Sequence, residues 1–115
     1  MKRVIVCGGR DYSDALRVDQ VLSKVWRKHP DAELVEGGAR GADRLARQWA
    51  DENGFNVLTV EAEWDRLGKS AGYKRNEAMA ELDGVIGVVA FPGGVGTAHM
   101  IKIAESRKIP VYVVK

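Results

Sequence analysis

Phe91-Pro92-Gly93-Gly94-Val95-Gly96-Thr97 follows the apolar run Val85 to Ala90 and precedes a segment of helical character. A strand that ends in a glycine turn and passes into a helix leaves backbone N–H groups pointing outward at the positive end of the helix dipole, a setting that suits a phosphate or another anion. Two similar junctions occur, Cys7-Gly8-Gly9-Arg10 after a first apolar run and Glu36-Gly37-Gly38-Ala39-Arg40-Gly41-Ala42-Asp43 after a second. Tight turns use glycine for geometry alone as well. Eight glycines in three loops (Gly8, Gly9, Gly37, Gly38, Gly41, Gly93, Gly94, Gly96) carry a folding-entropy cost, and together with Thr97 they predict one composite nucleotide-type pocket.

Working outward from these turns, Val4 to Cys7 is a β-branched run without polar alternation, as expected of a strand buried on both faces. Ser13 or Asp14 can cap a helix whose Val18, Val21, Leu22 and Val25 follow helical spacing and which ends near His29-Pro30. Glu33 to Glu36 reads as the second strand, and the helix after it sets Leu45, Ala46, Trp49 and Ala50 on one side until Asn53-Gly54 stops it. Asn56 to Val60 reads as a third strand, and Glu61 to about Ser70 as a long loop without periodicity. Helical character returns from Ala71 to Leu82, and Asp83-Gly84 turns the chain into the fourth strand, Val85 to Ala90. The last helix directs Ile101 and Ala104 at the sheet, and Val111 to Val114 is the fifth strand.

Strands alternating with helices predict a parallel sheet covered on both faces by right-handed crossovers: an α/β, three-layer, Rossmann-like fold, five-stranded, in the order 3-2-1-4-5. In such sheets ligands collect beyond the carboxyl ends of the strands where the winding reverses, and all three glycine turns fall at that edge. A length of 115 residues fits a single domain, residues 1–115, with an ordinary globular composition of 45% hydrophobic and 30% charged residues. The formal charge of +2 is far from the basic surplus of a nucleic-acid coat protein, so nucleic acid is not the expected partner. One cysteine, no signal-peptide core and no run of about 18 apolar residues lead to the expectation of a cytoplasmic protein that does not span a membrane.

Arg10 and Arg40 directly follow glycine turns, where a guanidinium can grip phosphate with two hydrogen bonds or form a surface salt bridge. Asp43 either caps N–H groups at a helix start or contacts a ribose hydroxyl. Trp64, Lys69, Tyr73, Arg75 and Asn76 form an aromatic and cationic cluster in the long loop and the helix after it, with Trp64 placed to stack on a base or to anchor the loop. Cys7 is a nucleophile or, at the end of a buried strand, a small packing residue. No Lys-Ser or Lys-Thr follows Gly96, and no G-x-G-x-x-G occurs, so magnesium-triphosphate chemistry and the dinucleotide fingerprint are both disfavoured. His29 and His99 stand apart from other metal ligands, and neither a metal nor a cofactor is expected. Trp26 and Trp49 belong to the core or to the face of a homodimer or higher homo-oligomer.

Gly8-Gly9-Arg10-Asp11-Tyr12, Gly37 to Asp43, Gly68 to Asn76 and Phe91 to Met100 together resemble the YspA branch of the SLOG superfamily, which also holds the Lonely Guy phosphoribohydrolases and the DNA-processing protein DprA. The resemblance spans essentially the whole chain and implies a Rossmann-type binder of nucleotides or nucleotide-derived ligands, with DNA handling a remoter implication. Lonely Guy enzymes cleave the N-glycosidic bond of nucleoside monophosphates with an arginine in an R-K-x-x-M stretch and a glutamate closing P-G-G-x-G-T-x-x-E. Arg75-Asn76-Glu77-Ala78-Met79 is similar to the first and Pro92 to Thr97 to the second, but Met100 occupies the glutamate's place. A thioether neither stabilises an oxocarbenium-like centre nor relays a proton, so such an activity requires a carboxylate from Glu36, Asp43 or Glu77 beside Arg75.

Overall fold

The computed structural model describes every residue from Met1 to Lys115. Its elements run β1 (Arg3–Cys7), α1 (Ala15–Lys28), β2 (Glu33–Glu36), α2 (Ala42–Asn53), β3 (Val57–Thr59), α3 (Trp64–Leu67), a 3₁₀ turn (Gly68–Ser70), α4 (Ala71–Ala80), β4 (Val85–Ala90), α5 (Val95–Ser106) and β5 (Val111–Val113). The five strands are parallel and ordered β3-β2-β1-β4-β5, as the sequence predicts. β1 pairs with β2 on one side and β4 on the other, so the winding reverses between β1 and β4. The Gly8, Gly37 and Gly93 turns all leave the sheet at its carboxyl edge.

Strand alternation sorts the core into two layers. Val4, Val6, Leu34 and Val89 face α1 and α2, while Ile5, Cys7, Val35, Val88 and Ala90 face α4 and α5. α1 buries Val18, Val21, Leu22 and Trp26, and Asp14 caps it by accepting the Arg17 N–H at 2.9 Å. Gly54 ends α2 in the left-handed conformation, φ 77°, that a chiral residue adopts only with strain.

The structure decides one open alternative and changes one expectation. Trp26 and Trp49 are 2% and 6% exposed, their rings meet edge to face at 5.4 Å, and their indole N–H groups donate to Ala32 O and Asp19 Oδ1. Both are core, and neither offers a dimer face. The stretch from Glu61 to Ser70 is only partly loop: it contains α3 and the 3₁₀ turn, which bury no side chain and so leave no apolar periodicity to read. No helix is long and apolar enough to cross a membrane.

Candidate functional site

The β4–α5 turn is shaped by close approach. A Cβ at Gly93 would lie 2.7 Å from the Gly9 nitrogen, so only glycine lets this turn rest on the β1–α1 turn, where Gly9 N–H donates to Pro92 O at 2.9 Å. Gly94 and Gly96 face open space. The first paired N–H of α5 is that of Ala98, which donates to Gly94 O at 3.0 Å, and the N–H groups of Val95, Gly96 and Thr97 have no partner within the chain. Thr97 is 8% exposed, and its hydroxyl lines the cleft without a hydrogen bond.

The β2–α2 turn is built the opposite way. Asp43 Oδ2 accepts the N–H groups of Gly37 and Ala39, both at 3.2 Å, and Glu36 Oε1 accepts that of Gly38 at 2.7 Å. Glu36 Oε2 in turn accepts the Thr59 hydroxyl. Three N–H groups that the glycine pattern suggests for a ligand are therefore occupied by the protein's own carboxylates. Asp43 is 6% exposed, and burial first, with the nearby Glu36 charge, raises its pKa to about 6 against the pull of its backbone hydrogen bonds and of Arg75.

Between the turns lies a cleft of about 390 Å³, lined by Gly8, Gly9, Arg10, Asp43, Trp64, Lys69, Arg75, Asn76, Gly94, Gly96 and Thr97. A second hollow of about 610 Å³ shares Arg10, Ala39, Trp64 and Arg75 with it and adds Gly37, Gly38, Arg40 and Glu61. Arg10 lies over the Trp64 ring at 5.3 Å, a cation–π contact at the cleft mouth. Arg40 meets Asp11 at 3.3 Å in a largely exposed pair. Arg75 Nη1 donates to Gly37 O at 2.5 Å and Nε to Asn76 Oδ1 at 3.1 Å.

Three residues expected in the pocket do not line it. Glu77 lies exposed on α4, three residues on from the exposed Lys74 and off the stripe of Gly72, Arg75, Asn76 and Met79 that faces the cleft. Gly41, φ 77°, and Gly93 shape turns behind the cleft surface. Met100 is 0% exposed and packs in the core layer with Ile5 and Ala104, while Ile101 is only half-buried. Cys7 reaches the cleft floor, but burial and then the Asp43 charge push its thiol to about 12, which favours the packing role. Tyr73, Gly72, Met79 and Val95 complete the lining; Gly72 is small because the Trp64 ring lies against it. His99 touches Asn76 and the Tyr73 ring behind the cleft, a placement with no local sequence signature.

The Gene 61 protein of Mycobacterium phage D29 is 39% identical over 119 residues, covering 96% of this chain and 94% of that protein. Among solved structures, the DNA processing protein A (DprA) of Streptococcus pneumoniae matches with a TM-score of 0.82 at 20% identity, over 100% of this chain and 50% of DprA. The structural-genomics protein TM1055 matches at 0.75 and 21% identity, over 96% of this chain and 72% of its own. Identities this low establish a shared fold. The sequence model of the YspA, cpYpsA-related SLOG family matches residues 2–67, more than half of the chain, and with the phage relative it shows that this chain belongs to that family.

Proposed function

We propose that the chain binds a nucleotide or nucleotide-derived phosphorylated ligand, as a sensing or processing domain, with a phosphate on the first turn of α5. The observation that carries this reading is the set of unpartnered N–H groups at Val95, Gly96 and Thr97, joined by the hydroxyl of the 8%-exposed Thr97, which has no hydrogen bond, at the positive end of a twelve-residue helix. Lys69, free of any ion pair, and Arg10 supply charge on the same cleft, and the half-exposed Trp64 and Tyr73 rings supply surface for a base. The β2–α2 turn contributes shape and the Arg40 side chain rather than an anion nest. A calorimetric screen of nucleotides and their phosphorylated derivatives tests the reading. Binding tighter than about millimolar supports it, and no such binder across the set sinks it.

A second reading, hydrolysis of nucleoside 5′-monophosphates, draws on the cleft placement of Arg75 and of Asp43, a carboxyl whose pKa of about 6 suits proton transfer near neutrality. Glu77 does not reach the cleft, and Glu36 is spent on Gly38 and Thr59, so Asp43 is the carboxylate left for the role. Chromatography for free base after incubation with the common monophosphates separates the two readings. Base release that Asp43→Asn abolishes supports the second, and no release counts against it.

A further inference from the structure

Asn76 lines the cleft, yet its amide has no donor left for a ligand. Its Oδ1 accepts from Arg75 Nε at 3.1 Å, and its Nδ2 lies 3.2 Å from Gly96 O and 3.1 Å from His99 Nδ1. A primary amide nitrogen carries two hydrogens, so both are used. The partners also fix which way the amide faces: reversed, it would set oxygen against the Gly96 carbonyl and NH₂ against the Arg75 N–H. For Nδ2 to donate to the imidazole, Nδ1 must be bare, which leaves the ring proton on Nε2. Asn76 is 5% exposed, so water does not compete for these bonds, and the Tyr73 ring braces His99 edge to face at 4.4 Å.

We infer that Asn76 and His99 are positioning residues for the anion seat on α5, an inference that rests on the phosphate reading above. The Gly96 carbonyl and the Thr97 N–H belong to one planar peptide group and point in opposite directions, so a donor that holds the carbonyl from behind sets where the N–H aims in front. His99 fixes the Asn76 amide, the amide fixes the Gly96–Thr97 peptide, and the same amide orients Arg75, whose Nη1 holds Gly37 O. Two consecutive residues of α4 thus tie together the turns on either side of β1.

The test compares wild type with Asn76→Ala, His99→Phe and His99→Gln. Phenylalanine keeps a ring against Tyr73 and removes the acceptor, and glutamine restores an acceptor without a ring. Long-range ¹H–¹⁵N spectra of the wild type should show His99 protonated on Nε2. In buffer without anions, Thr97 amide exchange should quicken in Asn76→Ala and His99→Phe. Inorganic phosphate, titrated by amide shifts, should bind about three- to tenfold more weakly to His99→Phe and within about twofold of wild type to His99→Gln. A wild-type imidazole protonated on Nδ1 overturns the inference, as does a folded His99→Phe with unchanged Thr97 exchange and phosphate affinity. If phosphate shifts no wild-type amide, the phosphate reading falls, and the positioning role is then judged on the tautomer and Thr97 exchange alone.

Discussion

The β2–α2 and β4–α5 turns look alike as sequence, each a pair of glycines between an apolar strand and a helix, yet they finish their hydrogen bonds in opposite ways. At β2–α2 the buried carboxylates of Glu36 and Asp43 take up the N–H groups of Gly37, Gly38 and Ala39. At β4–α5 no carboxylate reaches in, and the N–H groups of Val95 to Thr97, residues that line the cleft, have no partner within the chain. A glycine-rich strand-to-helix turn is therefore an anion site only where the protein itself supplies no anion. The first turn should answer chiefly to pH, and the second to an added anion.

The largest expected effect lies in the closed turn. Folding raises the Asp43 pKa from 3.8 to about 6, so the folded state holds this proton more tightly than the unfolded chain. The stability it contributes is fully present below about pH 4 and is lost as the pH rises through about 6, a change of roughly 3 kcal/mol. Asp43→Asn keeps an acceptor for the two N–H groups and removes the titration. Urea unfolding from pH 4 to pH 8 should show the variant gaining on wild type with rising pH, and parallel stability profiles would refute the assignment.

Next comes the contact between turns. Gly93→Ala forces a methyl toward the Gly9 nitrogen and the Thr97 side chain, which should cost roughly 1–3 kcal/mol as overpacking. Thermal unfolding measures this, and an unchanged melting temperature would show that the turns do not rest on each other. One residue later the geometry is open, so Gly94→Asp should leave the melting profile intact. Its added charge at the helix start should weaken nucleotide binding at least roughly tenfold, about 1.4 kcal/mol. A folded Gly94→Asp with undiminished affinity would erase the difference between the turns. The smallest effect is Asp31→Ala, which removes an exposed 3.8 Å pair with Lys2 and should change both affinity and stability by less than about 0.5 kcal/mol.

The sheet was legible because each strand is a short apolar run bounded by a turn signal, and the strand order followed from crossover handedness. α3 was not, since a four-residue helix that buries nothing has no pattern to betray it. The glycines marked where the chain turns tightly, but their spacing does not encode where the N–H groups end up. That depends on Asp43 reaching back across its own helix start and on Thr59 meeting Glu36 from a strand 23 residues away. The Asn76–His99 contact likewise joins α4 to α5 across a strand, beyond the reach of local periodicity. Trp26 and Trp49 were ambiguous for a simpler reason: an apolar stripe on a helix reads the same whether it meets the sheet of its own chain or a second subunit.

Cys7 gives the molecule a built-in reporter. The residue is 8% exposed at the end of the central strand and its thiol is pushed to about 12, so at neutral pH almost none of it is the reactive thiolate while the fold holds. Opening the sheet at β1 returns it to an ordinary thiol. The rate at which a disulfide reagent modifies this one cysteine therefore counts excursions of the central strand, and slowing of that rate by an added nucleotide would register binding without any label.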